Sequence, residues 1–148
     1  MWTRKARRLS TWSDMENAIF YTFRLKPDDD LFALIEAFVA EKQIEAGVVL
    51  SAVGSLTQAT LRLANQPDYD VFRGHFEIVS LTGTVSTYGS HLHISISDET
   101  GRTLGGHLVE ECLIYTTAEI VLAVFPQIMY KRELCEFSGY EELVVVEK

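Results

Sequence analysis

At 148 residues the chain has the length of a single domain, and its 47% hydrophobic content is enough to bury a sizeable core. The net charge of −8 is unevenly spread: Met1 to Ala18 holds four basic residues against two acidic ones, and Ile19 to Lys148 holds nine against nineteen. Phosphate backbones are held chiefly by Lys and Arg, so the acidic body argues against a sequence-independent nucleic-acid surface, and apolar runs such as Ile120 to Pro126 fall far short of the ~20 residues of a membrane-spanning helix.

Residues 1–18 read as a basic and polar tail, and 19–148 as the folded domain. The tail begins with Arg4, Lys5, Arg7 and Arg8, but Leu9 to Asn17 lacks the apolar stretch of a secretory signal, and Asp14 and Glu16 do not suit an import presequence. The cytoplasm is therefore the expected compartment. Those four basic residues are the candidate contacts for any nucleic acid. Cys112 and Cys135 form no Cys-x-x-Cys pattern, and a chain with this much core needs no disulfide staple, so both are expected as buried thiols.

Ala18 to Leu25 is rich in aromatic and β-branched residues and predicts a strand, stopped by Lys26-Pro27-Asp28. The acids at 28–30 cap a helix from Asp30 to Ala46, in which Leu31, Leu34, Ile35, Phe38 and Val39 recur at helical spacing and Gly47 supplies the stop. Val48 to Val53 predicts a buried strand leaving through a loop at Gly54-Ser55-Leu56, followed by a short strand from Ala59 to Ala64. The glycine and serine of that loop do not make a phosphate cradle, because the spaced glycines and the lysine are missing. Ser55 also lacks the Gly-x-Ser-x-Gly setting of a hydrolase nucleophile. After a surface loop at 65–69, Phe76 to Val85 predicts a strand in which Gly83 marks a bulge or a close backbone approach.

Ser90 to Ser97 alternates, with His91, His93, Ser95 and Ser97 on one face and Leu92, Ile94 and Ile96 on the other. Asp98-Glu99-Thr100-Gly101 is a turn, and Arg102 to Leu108 returns as the second arm of a hairpin. Leu113–Tyr115, Glu119–Phe125, Tyr130–Phe137 and Leu143–Glu147 supply further strand segments. The expected fold class is α+β, a mainly antiparallel sheet with one principal helix packed on it.

The hairpin has a chemical consequence. Histidines at i and i+2 of a strand share a face roughly 6.5–7 Å apart, and the returning arm carries His107 alongside them, with Gly105 and Gly106 allowing close backbone passage. Three imidazoles that meet leave a coordination position open, which is the ligand-binding or catalytic arrangement of zinc rather than the closed structural one. Imidazole equally suits nickel, copper, iron and cobalt, so the expectation is a divalent transition metal with zinc first. Glu77, Ser95, Asp98 and Glu110 are the nearest candidates to support the ligands or serve as a base. A His-x-His pair also occurs on ordinary solvated faces, and His75, which has no such partner, reads as a plain surface histidine.

Gly54-Ser55-Leu56 with Ala59-Thr60-Leu61-Arg62, Phe76 to Gly83, Gly89 to Asp98 and Gly105-Gly106-His107-Leu108 resemble the successive motifs of the PPC domain, the domain conserved in plants and prokaryotes. The resemblance runs from about Phe20 to Val146. It implies an α+β fold, a homotrimer, and a regulatory or interaction module in a family described as DNA-binding, with metal at His91, His93 and His107. Plant members carry AT-hook segments, and no Arg-Gly-Arg-Pro core is present in this sequence. Glu110-Glu111 also departs from the glycine expected after the last motif. Two function classes follow: a trimeric module with DNA or protein partners, and a metal-dependent small-molecule binder or enzyme using the open position. No catalytic motif beyond the histidines decides between them.

Overall fold

The computed structural model describes residues 17–148. The tail assigned to residues 1–18, including Arg4, Lys5, Arg7 and Arg8, lies outside the described residues apart from Asn17 and Ala18. The elements in chain order are β1 (Ile19–Leu25), α1 (Leu31–Glu41), β2 (Gly47–Arg62), β3 (Asp70–Val85), β4 (His91–Ser97), β5 (Thr103–Leu108), β6 (Leu113–Val124), β7 (Ile128–Leu134) and β8 (Glu141–Glu147). The fold is the expected mostly antiparallel sheet with a single helix among the described residues.

Six strands form one sheet in the order β1-β6-β2-β3-β4-β5, and β7 and β8 make a separate hairpin. The end of β2 also pairs with β5, through Leu61↔Leu108 and Arg62↔His107. Strands β2, β3, β4 and β5 therefore close into a ring of pairings. Period-two alternation decides what faces inward: Leu92, Ile94 and Ile96 of β4 are at most 3% exposed, and Leu56, Leu61 and Leu108 join them in the core. Each such side chain contributes about 1.5–3 kcal/mol on burial. The alternate residues of β4, His91 and His93, are left on the outer face.

Helix α1 covers the β1 side of the core with Leu31, Ile35 and Val39, and Phe38 stacks on Phe23 of β1 at 4.4 Å between ring centroids. Its N-cap is Asp30, whose carboxylate accepts from the Ala33 N–H at 3.1 Å. The helix ends at Glu41, earlier than the spacing predicts. Gln43 takes a left-handed conformation (φ 51°), its N–H donates to the Ala40 carbonyl, and the Ile44 N–H donates to the Val39 carbonyl. These bonds are those of a Schellman cap, in which an apolar residue just past the helix packs back on its last turn. Ile44 belongs to that cap contact, and Gly47 already starts β2.

The loop expected at Gly54 is absent, because β2 runs unbroken for 16 residues. Gly54 sits where β6 passes close by, since a Cβ there would lie 2.1 Å from the Thr117 carbonyl oxygen. The two segments expected around 113–125 are likewise one strand, β6. Cys112 is buried as expected, but Cys135 is only half-buried near the tip of the β7–β8 hairpin, and both thiols are free.

That hairpin is clasped to the body by Ser86, which is 1% exposed. Its Oγ lies 2.9 Å from the Glu45 carbonyl and 2.8 Å from the Tyr130 carbonyl, and it accepts from the Tyr88 N–H. The hairpin is thereby held beside the outer face of β4.

Candidate metal centre

The turn that aligns the histidines is built by Asp98. Its Oδ1 accepts from the Thr100 N–H, the Thr100 hydroxyl and the Arg102 N–H, and these bonds hold its carboxyl below the usual carboxylate range. The register that results pairs His93 with His107 directly. His91, two residues from His93, shares their face. The ring centroids are 4.8 Å apart for His91–His93, 5.0 Å for His91–His107 and 5.5 Å for His93–His107.

Two glycines make this closeness possible. Gly83 (φ 142°) faces Leu92, where a Cβ would lie 1.9 Å from the His91 carbonyl oxygen. A Cβ on Gly106 would lie 2.8 Å from the Arg62 carbonyl oxygen, which would push β5 off β2.

One ligand atom from each of the three histidines lies within 4.8 Å of the others, and the Nε2 atoms of His91 and His93 are 3.1 Å apart. Two nitrogens bound at ~2.0–2.1 Å to a tetrahedral zinc ion are about 3.3 Å from one another. The chemistry of the donors fits as well as the spacing. Burial first, then the neighbouring His91 and Arg62, push the His107 imidazole down to about 4. Burial and the nearby His93 and Arg132 also lower His91. Both shifts favour the neutral imidazole, the form that ligates metal. The Nδ1 atom of His107 is buried and has no hydrogen-bond partner. A buried polar atom left unsatisfied costs about 1–3 kcal/mol, and a bound ion or ligand would satisfy it.

The three rings open into a cleft of about 840 Å³ lined also by Arg62, Tyr88, Arg132, Tyr140, Glu141 and Glu142. That volume suits a small molecule. Arg62 and His107 are cross-strand partners, and Arg132 of β7 donates through Nη2 to the Thr84 hydroxyl at 2.7 Å. Thr84 is the partner of His91. None of these cleft residues beyond the histidines was singled out as a candidate from the sequence.

The four proposed supporting residues lie elsewhere around the hairpin. Ser95 is half-buried two residues beyond His93 on the same face, paired with Gly105. Asp98 caps the turn at the far end. Glu77 lines a separate cleft with Ser55 and Thr116. Glu110 is exposed just after β5. His75 packs on Tyr115 with ring centroids 4.4 Å apart.

An antiparallel sheet that carries three converging imidazoles over an open cleft defines the class of site, and comparison with known proteins defines the family. Residues 13–126 match the Plants and Prokaryotes Conserved (PCC) domain, and the chain belongs to that family. It is 48% identical over 123 residues to the bifunctional protein GlmU of Synechococcus sp. strain JA-3-3Ab, a match covering 83% of this chain. The matched region spans only 20% of that relative's length. Among solved structures, a hypothetical protein from Salmonella enterica superposes with a TM-score of 0.88 at 39% identity, covering 89% of this chain and 96% of the other. A metal-containing protein from Archaeoglobus fulgidus superposes with a TM-score of 0.76 at 25% identity, covering 90% of this chain and 99% of the other. Two solved structures named provisionally for DNA binding share 24% and 22% identity and show the fold alone.

Proposed function

We propose that this chain is a metal-binding module in which His91, His93 and His107 hold one divalent transition-metal ion, zinc first, and leave an open position for a small ligand or an activated water. The observation that carries this reading is the convergence of three ligand atoms within 4.8 Å on the floor of a cleft. The metal-containing relative from Archaeoglobus fulgidus supports it. When bound, the ion would supply Lewis acidity, while the chain's own residues fix the ring positions and the shape of the cleft. X-ray absorption at the zinc edge of zinc-loaded protein tests the reading. Three imidazole nitrogens at ~2.0–2.1 Å are expected, and a shell without imidazole scattering would contradict it.

The module acts as a homotrimer in this reading. Phe20, Leu50, Val53 and Val79 are 55–62% exposed on strands β1, β2 and β3, apolar side chains that an assembly would cover. A mass of three chains by light scattering is expected, and a monomer would refute the assembly. The match to one fifth of a longer GlmU protein supports use of the domain as a module joined to other functions.

The regulatory role implied by the family falls to protein partners rather than to DNA, because residues 19–148 hold nineteen acidic against nine basic residues. A salt-dependent shift of duplex DNA that needs Arg4, Lys5, Arg7 and Arg8 would favour the DNA version. Among the described residues no helix is long and apolar enough to cross a membrane.

A further inference from the structure

We propose that the histidine cleft binds a small oxyanion, a carboxylate or a phosphate, through Arg62 and Arg132. This inference rests on the metal reading above and names the ligand that would fill the open position.

Arg62 closes the ring of strands. As the register partner of His107 it shares that residue's face of the sheet, where directly paired side chains start about 5 Å apart. It is half-buried, and among the described residues its guanidinium has neither an ion-pair partner nor a hydrogen-bond acceptor. Its N–H donors are open to the cleft, where a ligand can supply the acceptors. Arg132 reaches the same cleft from β7, in the hairpin that follows the family-matched residues. Its single described bond, to Thr84, fixes it beside His91 and leaves most of its five N–H donors free.

Both arginines stand with the histidines in one cleft, Arg62 through its pairing with His107 and Arg132 through its bond to Thr84, the partner of His91. Glu141 and Glu142 line the cleft too, yet neither forms an ion pair with an arginine, and the Glu142 carboxylate accepts from the Ser138 hydroxyl at 2.8 Å instead. Neutral imidazoles around a divalent ion contribute two positive charges, the arginines two more and the glutamates two negative. The arginines and glutamates cancel, so with the ion bound the cleft would carry two net positive charges in a chain of net charge −8. That local inversion selects anions. The planar guanidinium matches carboxylate and phosphate oxygens with paired, charge-assisted hydrogen bonds, and an ion held by the three histidines would accept a further oxygen.

Cobalt(II)-loaded protein provides the test, because its visible absorption reports ligand exchange at the metal independently of any catalysis. Cobalt uptake is measured first, then titrations with inorganic phosphate and with oxalate are followed by absorption and calorimetry. Saturable binding is expected, weakened about tenfold or more in Arg62→Gln and in Arg132→Gln, with cobalt content and thermal unfolding midpoint unchanged. A stronger response to oxalate assigns a carboxylate ligand, and a stronger response to phosphate assigns a phosphorylated one. A chain that takes up no cobalt overturns the metal reading and this inference with it. A chain that takes up cobalt but binds both anions equally well in wild type and variants, or binds neither, overturns the anion site alone.

Discussion

His93 and His107 face each other as register partners across β4 and β5, with their ring centroids 5.5 Å apart. The pairing is fixed from two sides. The Asp98 turn sets the register of the hairpin, and the close passage of Gly106 under Arg62 pins β5 to the end of β2. The site is thus a property of the sheet closure, and substitutions that disturb the closure reach the histidines without touching them.

Gly83 gives the most direct case. Its φ of 142° is a conformation that side-chain-bearing residues rarely adopt, and its Cβ position lies 1.9 Å from the His91 carbonyl oxygen. Gly83→Ala is expected to cost about 2–4 kcal/mol of stability and to weaken metal binding by displacing His91. Gly101→Ala, in a turn with nothing within 4 Å of the new methyl, is expected to cost only about 1 kcal/mol. Urea denaturation of both variants, with metal titration of each, makes the comparison. Equal losses would place the constraint outside the β3–β4 contact.

The histidines also set a pH dependence for the metal-free protein. His107 is lowered to about 4 in the fold, chiefly by burial, against an ordinary value of 6.5. Between those values the unfolded chain takes up a proton that the folded chain refuses. Its contribution to stability is therefore complete above pH 6.5, is lost as pH falls toward 4, and changes no further below that. The urea midpoint of metal-free protein is expected to fall across this window, and less steeply in His107→Gln. An identical pH profile in the two proteins would contradict the burial assigned to this ring.

The two thiols should differ in reactivity. Cys112 is fully buried, its Sγ donates to the Thr60 carbonyl, and burial pushes it up to about 11. Cys135 is half-buried, and the backbone N–H groups of Ser138 and Phe137 lower it. A thiol reagent at pH 8 is expected to modify one cysteine in the native protein and two in denaturant. Loss of the fast reaction in Cys135→Ser identifies the accessible group, whereas two fast thiols in native protein would contradict the burial of Cys112.

How far the sequence reveals this site depends on how local each determinant is. The shared face of His91 and His93 follows from the two-residue period of a strand, and the return of His107 follows from turn chemistry within Asp98 to Gly101. Both are short-range rules. Arg62 and Arg132 were not legible, because they reach the histidines only through the pairing of β2 with β5 and the docking of β7–β8 through Ser86, which no local pattern encodes. The misplaced helix end has a similar cause: Ile44 keeps the helical spacing of apolar residues but uses it in a cap, with Gln43 taking the conformation usually left to glycine. Gly54 misleads in the opposite sense, since a glycine that admits a neighbouring strand looks the same in sequence as one that makes a turn.

The metal itself tests the three-histidine centre most directly. Elemental analysis of protein purified without chelator, together with His93→Ala prepared in parallel, is expected to find one divalent transition-metal ion per chain in the wild type. Affinity in the variant should fall by more than ~100-fold, since losing a ligand costs at least as much as losing a supporting contact. The fold should persist, because the His93 side chain lies outside the core. Wild-type protein without bound metal that also takes none up from added zinc, or a variant that keeps its full complement, would contradict the three-histidine centre.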